Sequence, residues 1–298
     1  MTNTLIQGIL LGGYYAVIAC GLSFMFSVMR IINLAHGSLA VVAAYGLWLL
    51  AAKLGIPPFY GLLIILPFMA ALGWLLQRFV LERSARGGTL LPILTTFGLS
   101  IVIDNLLFEQ FGADTRSLAP FIGNLSYASW QLPGHVFVGK LAVLMMVTAI
   151  VIIGGLQLFL SRFAVGRSIR ATAEDADTAG LVGIDARRVN AIATAITMVT
   201  VGIAGAFLAM RATFNPYSGG PQLLFAFEAA VIGGAGSLWG TLLGGIVLGL
   251  AQSIGAQIHP QGFLIGGHIA FLLVLFVRLH QFGFLRLGKI RTLLRSPS

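Results

Sequence analysis

Charge is absent from the chain for long, repeated stretches, and this most narrows what it can fold into. No Asp, Glu, Lys or Arg occurs in residues 1–29, 31–52, 54–77, 141–161, 189–210 or 229–277. A water-facing element needs polar groups every few positions, whereas about 18 apolar residues without charge suffice for a helix to cross a bilayer. The last run has room for two crossings. Only 9% of the 298 residues are charged, against roughly 25% in a soluble domain. The fold expected is an all-α, polytopic transmembrane helix bundle forming one domain over residues 1–298. The 38 glycines suit helices that pack closely in lipid.

Membrane segments are expected at roughly 5–28, 31–52, 58–77, 91–110, 139–160, 189–210, 223–234, 240–257 and 262–279, about eight or nine in all. The seventh is too short to cross alone and runs into Gly233, Gly234 and Gly236, which marks it as a broken helix followed by irregular backbone. Alternating crossings put Arg30, Arg78, Arg83, Arg86, Arg162, Arg167, Arg170, Arg187, Arg188, Arg278, Arg286, Lys289, Arg291 and Arg295 on one side. Lys53, Arg116, Lys140 and Arg211 fall on the other. This bias assigns the first side to the cytoplasm, with the protein in the cell's inner membrane, the C-terminus on the cytoplasmic side and the N-terminus outside; a broken first span with the N-terminus inside is the alternative. The longest external loop is about 111–138, with Trp130, Pro133 and Gly134. The same loop-confined pattern argues that the +9 formal charge serves topology and not nucleic-acid binding. The start MTNTLIQG lacks the basic region of a signal peptide, so the first span reads as retained. A single cysteine, Cys20, excludes an internal disulfide and a Cys-based metal site, and it reads as a packing residue.

Four stretches break the apolar pattern. In MRIINLAHGSLAVVAAYG (29–46), Asn33 and His36 would share a helix face, with Gly37 one turn beyond Asn33. They suit either a polar patch on a cavity or interhelical glue. In LTTFGLSIVIDNLLFEQFG (94–112), Asp104 and Asn105 lie within a span. A carboxylate at membrane depth faces a bundle interior, a cavity or the hydrated interface. In FNPYSGGPQLLFAFEAAVIGGAGSLWGTLLGG (214–245), a short helix carrying Glu228 is flanked by Pro and Gly breaks, as at transporter binding sites. Glu228 would line a path or pin the break through backbone hydrogen bonds, while the glycines also suit close packing. Finally, SRFAVGRSIRATAEDADTAGLVGIDARRVN (161–190) is the one long polar stretch on the basic side. A turn at Gly166 and a helix of about 167–179 closed by Gly180 are expected there. The segment suits being gripped by a partner. The chain has no P-loop and no zinc-protease motif, so no ATP hydrolysis or other catalysis is expected of it.

The blocks GGYYAVIACGLSFMFSVMRIINLAHGSLAVVAAY (12–45), TTFGLSIVIDNLLFEQFG (95–112), GRSIRATAEDADTAGLVGID (166–185) and AFEAAVIGGAGSLWGTLLGG (226–245) resemble the permease subunits of branched-chain amino-acid ABC importers. The length matches the smaller of the two permeases in such systems. The resemblance implies a second permease subunit, two ATP-binding subunits that hold the ATP and magnesium, and an external, periplasmic substrate-binding protein. This chain itself would hold no cofactor or metal. It also implies that Asn33, His36, Gly37, Thr95, Thr96, Asp104, Asn105 and Glu228 shape the translocation path or its packing. Within the cytoplasmic loop 161–188, Arg167, Arg170, Glu174, Asp175, Gly180 and Gly183 would form the ATPase-coupling segment. The family pattern has neutral polar residues at 104 and 105. Asp104 departs from it, which leaves urea, short amides or aromatic acids open as cargo beside branched-chain amino acids. An ion-coupled carrier using Asp104 and Glu228 is the rival from a different class.

Overall fold

The computed structural model describes residues 1–88, 90–132 and 136–293. Pro133, Gly134 and Arg295 lie outside them. The elements in order are α1 Thr2–Met29, α2 His36–Leu54, α3 Pro58–Leu76, a π-type turn Gln77–Leu81, and α4 Glu82–Ala85. Then come α5 Leu90–Phe111, strands β1 Ser129–Leu132 and β2 Val136–Gly139, and α6 Lys140–Arg162. Last are α7 Ala164–Glu174, α8 Ala176–Leu181, α9 Ala186–Arg211, α10 Gly219–Gly233, α11 Leu238–Ile258 and α12 Gly262–Leu293. Among the described residues, eight helices are long and apolar enough to cross a membrane. The 15-residue α10 adds a ninth, shorter segment. The small antiparallel β1–β2 hairpin, outside the all-α expectation, sits in the long loop between α5 and α6.

Helix α1 is the central post. Its residues from Gly12 to Met25 are buried without interruption, and α6, α7, α9, α10 and α11 pack around it. The glycines explain how. Gly8 and Gly12 on α1 meet Gly249 and Gly245 on α11, each pair one turn apart. A Cβ on Gly12 would lie 2.5 Å from Ile246 Cα, and one on Gly249 would lie 2.3 Å from Gly8 O. Only bare backbone allows axes this close, and in lipid such contact substitutes for the hydrophobic drive that water would supply. Helices α3 and α5 flank α2, and α12 lies against α10 and α11. α3, α5, α6 and α12 turn large apolar side chains outward.

Contacts between loops sort the ends of the bundle. Residues 27–30, 77–85, 170–187 and 236–239 line shared cavities at one end, which carries the excess of arginine. At the other end Arg116 pairs through its backbone with Phe214, Leu118 N–H donates to Ala209 O, and Gln7 donates to Phe137 O. The N-terminus therefore lies at the end opposite the basic loops. α10 runs toward the basic end, so it counts as part of a crossing as the charge pattern requires.

Several expected boundaries are corrected. α2 begins at His36 and not at 31, because Arg30 closes α1 in the left-handed conformation (φ 54) and 30–35 are not helical. Asn33 and His36 therefore do not share a helix face. α10 begins at Gly219, ahead of the expected 223: Pro221 falls in its first turn, where a missing N–H costs nothing. The polar loop is not one helix from 167 to 179. It folds as α7 and α8, broken at Asp175. Gly166 makes no turn, but sits inside α7 where a Cβ would meet Phe159 O at 2.2 Å. Gly180 lies inside α8, and it is Gly183 that takes a positive φ of 83 after it. α12 runs well past 279.

The α1–α11 contact is open to test. Gly12→Leu is expected to lower stability in detergent by about 3 kcal/mol or more, seen as a lowered thermal unfolding midpoint. Gly220→Ala, at a position with open space around it, is expected to stay near wild type.

Candidate functional site

Two breaks in helical backbone meet near the middle of the bundle. The 30–35 turn enters from the basic end and α10 starts from the other. They touch where Gly37 faces Gly219: a Cβ on Gly37 would lie 1.9 Å from Gly219 O. Irregular backbone at membrane depth must find its hydrogen bonds in protein, and the turn does so locally. Asn33 Oδ1 accepts from Ala35 N–H at 3.0 Å. Leu34 N–H donates to Thr96 Oγ1 at 3.0 Å, which ties α5 to the turn. His36 Nε2 donates to Ile18 O at 2.8 Å, which orients the ring against α1. Asn33 Nδ2 and His36 Nδ1 are buried and, among the described residues, unpartnered.

Of the remaining expected path residues, Asp104 lies at the edge of this centre, and Thr95 and Asn105 lie apart from it. Thr95, half-buried, bonds back to Leu91 O at 2.7 Å. Asp104 is half-buried beside Ser38 of α2, with Oδ1 lacking a hydrogen-bond partner among the described residues. Asn105 is exposed on the outer face of α5 and donates to Ile101 O.

Glu228 is almost completely buried, and the break after α10 is not pinned by it. His268 Nδ1 on α12 donates to Glu228 Oε1 at 2.5 Å, and Oε2 has no partner among the described residues. The break is held by others. Arg278 donates to Ile232 O at 3.0 Å, and Gly236 N–H donates to Ser23 Oγ of α1 at 3.0 Å. Gly234 and Gly236 take positive φ values of 96 and 91, a region that favours glycine.

A polar set that the sequence reading missed adjoins Glu228. Tyr14 OH donates to Gln222 Oε1 at 2.5 Å, Tyr15 OH donates to Gln252 Oε1, and the Arg211 guanidinium lies 5.0 Å from the Tyr14 ring centroid. Uncharged amides in the runs PQLLFAF and GLAQSIG were the available signal. Among the described residues, no three His, Cys, Asp or Glu side chains converge as metal ligands.

At the basic end, α7 lies beside a cavity of about 470 Å³ that Arg170 and Glu174 share with Ser27, Gln157, Gly236 and Ser237. α7 thus abuts the break between α10 and α11. Asp175 caps α8, accepting from the N–H groups of Asp177 and Thr178 at 3.0 and 3.1 Å and from the Thr178 hydroxyl at 2.6 Å. The Thr178 hydroxyl, with the backbone N–H groups, holds the Asp175 carboxyl below the usual carboxylate range. Its support of α8 is full above the ordinary carboxylate pKa and is lost as pH falls through the lowered one. The tip after α8 is apolar yet open: Leu181 is 87% and Val182 77% exposed. Gly183 has open space around it within this chain.

Comparison with known proteins follows from this geometry. The family described as branched-chain amino acid transport system, permease component, matches residues 4–278. The high-affinity branched-chain amino acid transport system permease protein BraD of Pseudomonas aeruginosa is 31% identical over 271 residues, covering 87% of each chain. The permease LivH of the corresponding system in Escherichia coli K12 is 31% identical over 264 residues, covering 83% of each. Among solved structures, PsaBC from Streptococcus pneumoniae in complex with Fab aligns over 92% of this chain and 90% of its own, with TM-score 0.45 and 15% identity.

The Glu228–His268 pair yields a test. Removing His268 alone strands a buried carboxylate, which costs about 3–5 kcal/mol. His268→Leu is expected to destabilise strongly, and adding Glu228→Leu is expected to recover most of the loss, as a double-mutant cycle of unfolding midpoints would record.

Proposed function

Because the chain belongs to the family of permease components of branched-chain amino acid transport systems, we propose that it carries branched-chain amino acids or close analogues inward across the inner membrane. It acts as one subunit of an ATP-driven importer. Its basic end faces the cytoplasm, since fourteen of the eighteen Lys and Arg residues belong to that side. The C-terminus is cytoplasmic and the N-terminus external. A second permease, two ATP-binding subunits that hold ATP and magnesium, and an external binding protein complete the assembly.

One observation supports this reading above the rest: α7 and α8 project from the basic end with the exposed Leu181–Val182 tip. An apolar pair on a polar, water-facing segment suits insertion into a partner, and the nucleotide-driven subunit is the partner that such an importer needs. α7 is anchored by buried Ile169 and by Gly166 against α6. A push on the tip therefore reaches α6 and, across the shared cavity, the Gly234–Gly236 break. Asn33, His36 and Gly37 serve the path as the hinge seat between α2 and α10, and Thr96 secures that seat from α5. Specificity rests mostly with the binding protein, because a pore that binds tightly would slow release.

The experiment is a charge insertion at the tip. Leu181→Asp with Val182→Asp is expected to abolish co-purification of P-loop subunits and reduce ATP-dependent uptake at least about tenfold, while membrane insertion stays normal. Normal uptake driven by an ion gradient in that variant would instead point to a secondary carrier.

A further inference from the structure

At the basic end, α3 and α9 part around a cavity of about 350 Å³ lined by Trp74, Arg78, Glu82, Arg187, Arg188 and Ala191, among others. Its charges do not balance locally. Glu82 is shared by three arginines, Arg78 at 3.6 Å, Arg86 at 3.2 Å and Arg187 at 3.4 Å. The other carboxylate there, Asp185, is engaged as the cap of α9, accepting from the N–H groups of Arg187 and Arg188. Arg188 makes no ion pair among the described residues. An internal ion-pair cluster would need more acid than this. Trp74 stands one turn from Arg78 on the same helix face and is 47% exposed.

We propose that this groove binds the headgroup of an anionic phospholipid. The phosphodiester sits among Arg78, Arg187 and Arg188, and an acyl chain runs past Trp74 along the seam between α3 and α9. Guanidinium forks match phosphate oxygens, tryptophan favours the headgroup level of a bilayer, and basic pockets between membrane helices take such headgroups. Free phosphate offers the same oxygens but nothing to lie against Trp74. The inference requires only that the chain spans a bilayer with this end at its surface, and is independent of what is transported. The bound lipid would brace the start of α9, next to the coupling segment.

The test uses the assembled transporter in nanodiscs of equal phosphatidylglycerol and phosphatidylcholine, with retained lipid counted by native mass spectrometry. The wild type is expected to retain phosphatidylglycerol preferentially. Arg78→Gln with Arg188→Gln should cut that preference about tenfold, and Lys53→Gln, at the opposite end, should leave it intact. Should the double variant fail to fold, Trp74→Ala decides, with a severalfold loss of phosphatidylglycerol expected. Equal retention of both lipids by the wild type, or undiminished retention by these variants, overturns the proposal. Displacement of the lipid by millimolar inorganic phosphate overturns it in favour of a free-anion site.

Discussion

Backbone polar groups have no water to turn to inside a bilayer, and this governs the arrangement around α1. Two interruptions of helix among the described residues, before α2 and after α10, are tied to that one helix. His36, opening α2, donates to Ile18 O, and Gly236, between α10 and α11, donates to Ser23 Oγ. α1 shares this work with Thr96, which accepts from Leu34 N–H, and with Arg278, which donates to Ile232 O. Its burial from Gly12 to Met25 therefore follows from what it must hold, as well as from its apolarity.

Close glycine contacts make that position possible and also make it stiff. α11 rides on α1 through Gly8, Gly12, Gly245 and Gly249, and α10 meets α2 at Gly37 and Gly219. Beside these close seams lie two non-helical turns with positive-φ backbone, at Arg30 and at the Gly234–Gly236 break. The cavity shared by α7 and that break joins the segment at the basic end to the half-length helix.

Much of this was legible in the residues. The crossings, the broken α10 and the bias of arginine to one end follow from charge-free runs and Gly–Pro breaks, because lipid tolerates few alternatives. The family resemblance, carried by INLAHG and GGAGSLWGTLLGG, agreed with the relatives found. Local conformation was less legible. A helix from 31 was a fair reading of an apolar run, yet a single left-handed residue, Arg30, moved its start to His36. Gly166 and Gly180 were read as turn residues because glycine so often breaks helices. One of them instead permits close approach of α7 to α6, and periodicity does not separate these uses.

The sequence by itself determined that this is a multi-pass helical permease with its positive loops gathered at one end, since hydropathy and charge act locally and need no partner to be read. Only the tertiary structure decided which buried polar groups meet. Glu228 meets His268, forty residues on, and no backbone group of the break, which was one of its two expected roles. Tyr15 meets Gln252, while Asp104 lies beside Ser38 of α2 and Asn105 on the outer face of α5. Such pairings depend on the rotation and crossing of whole helices, which the close glycine contacts set and no local pattern records.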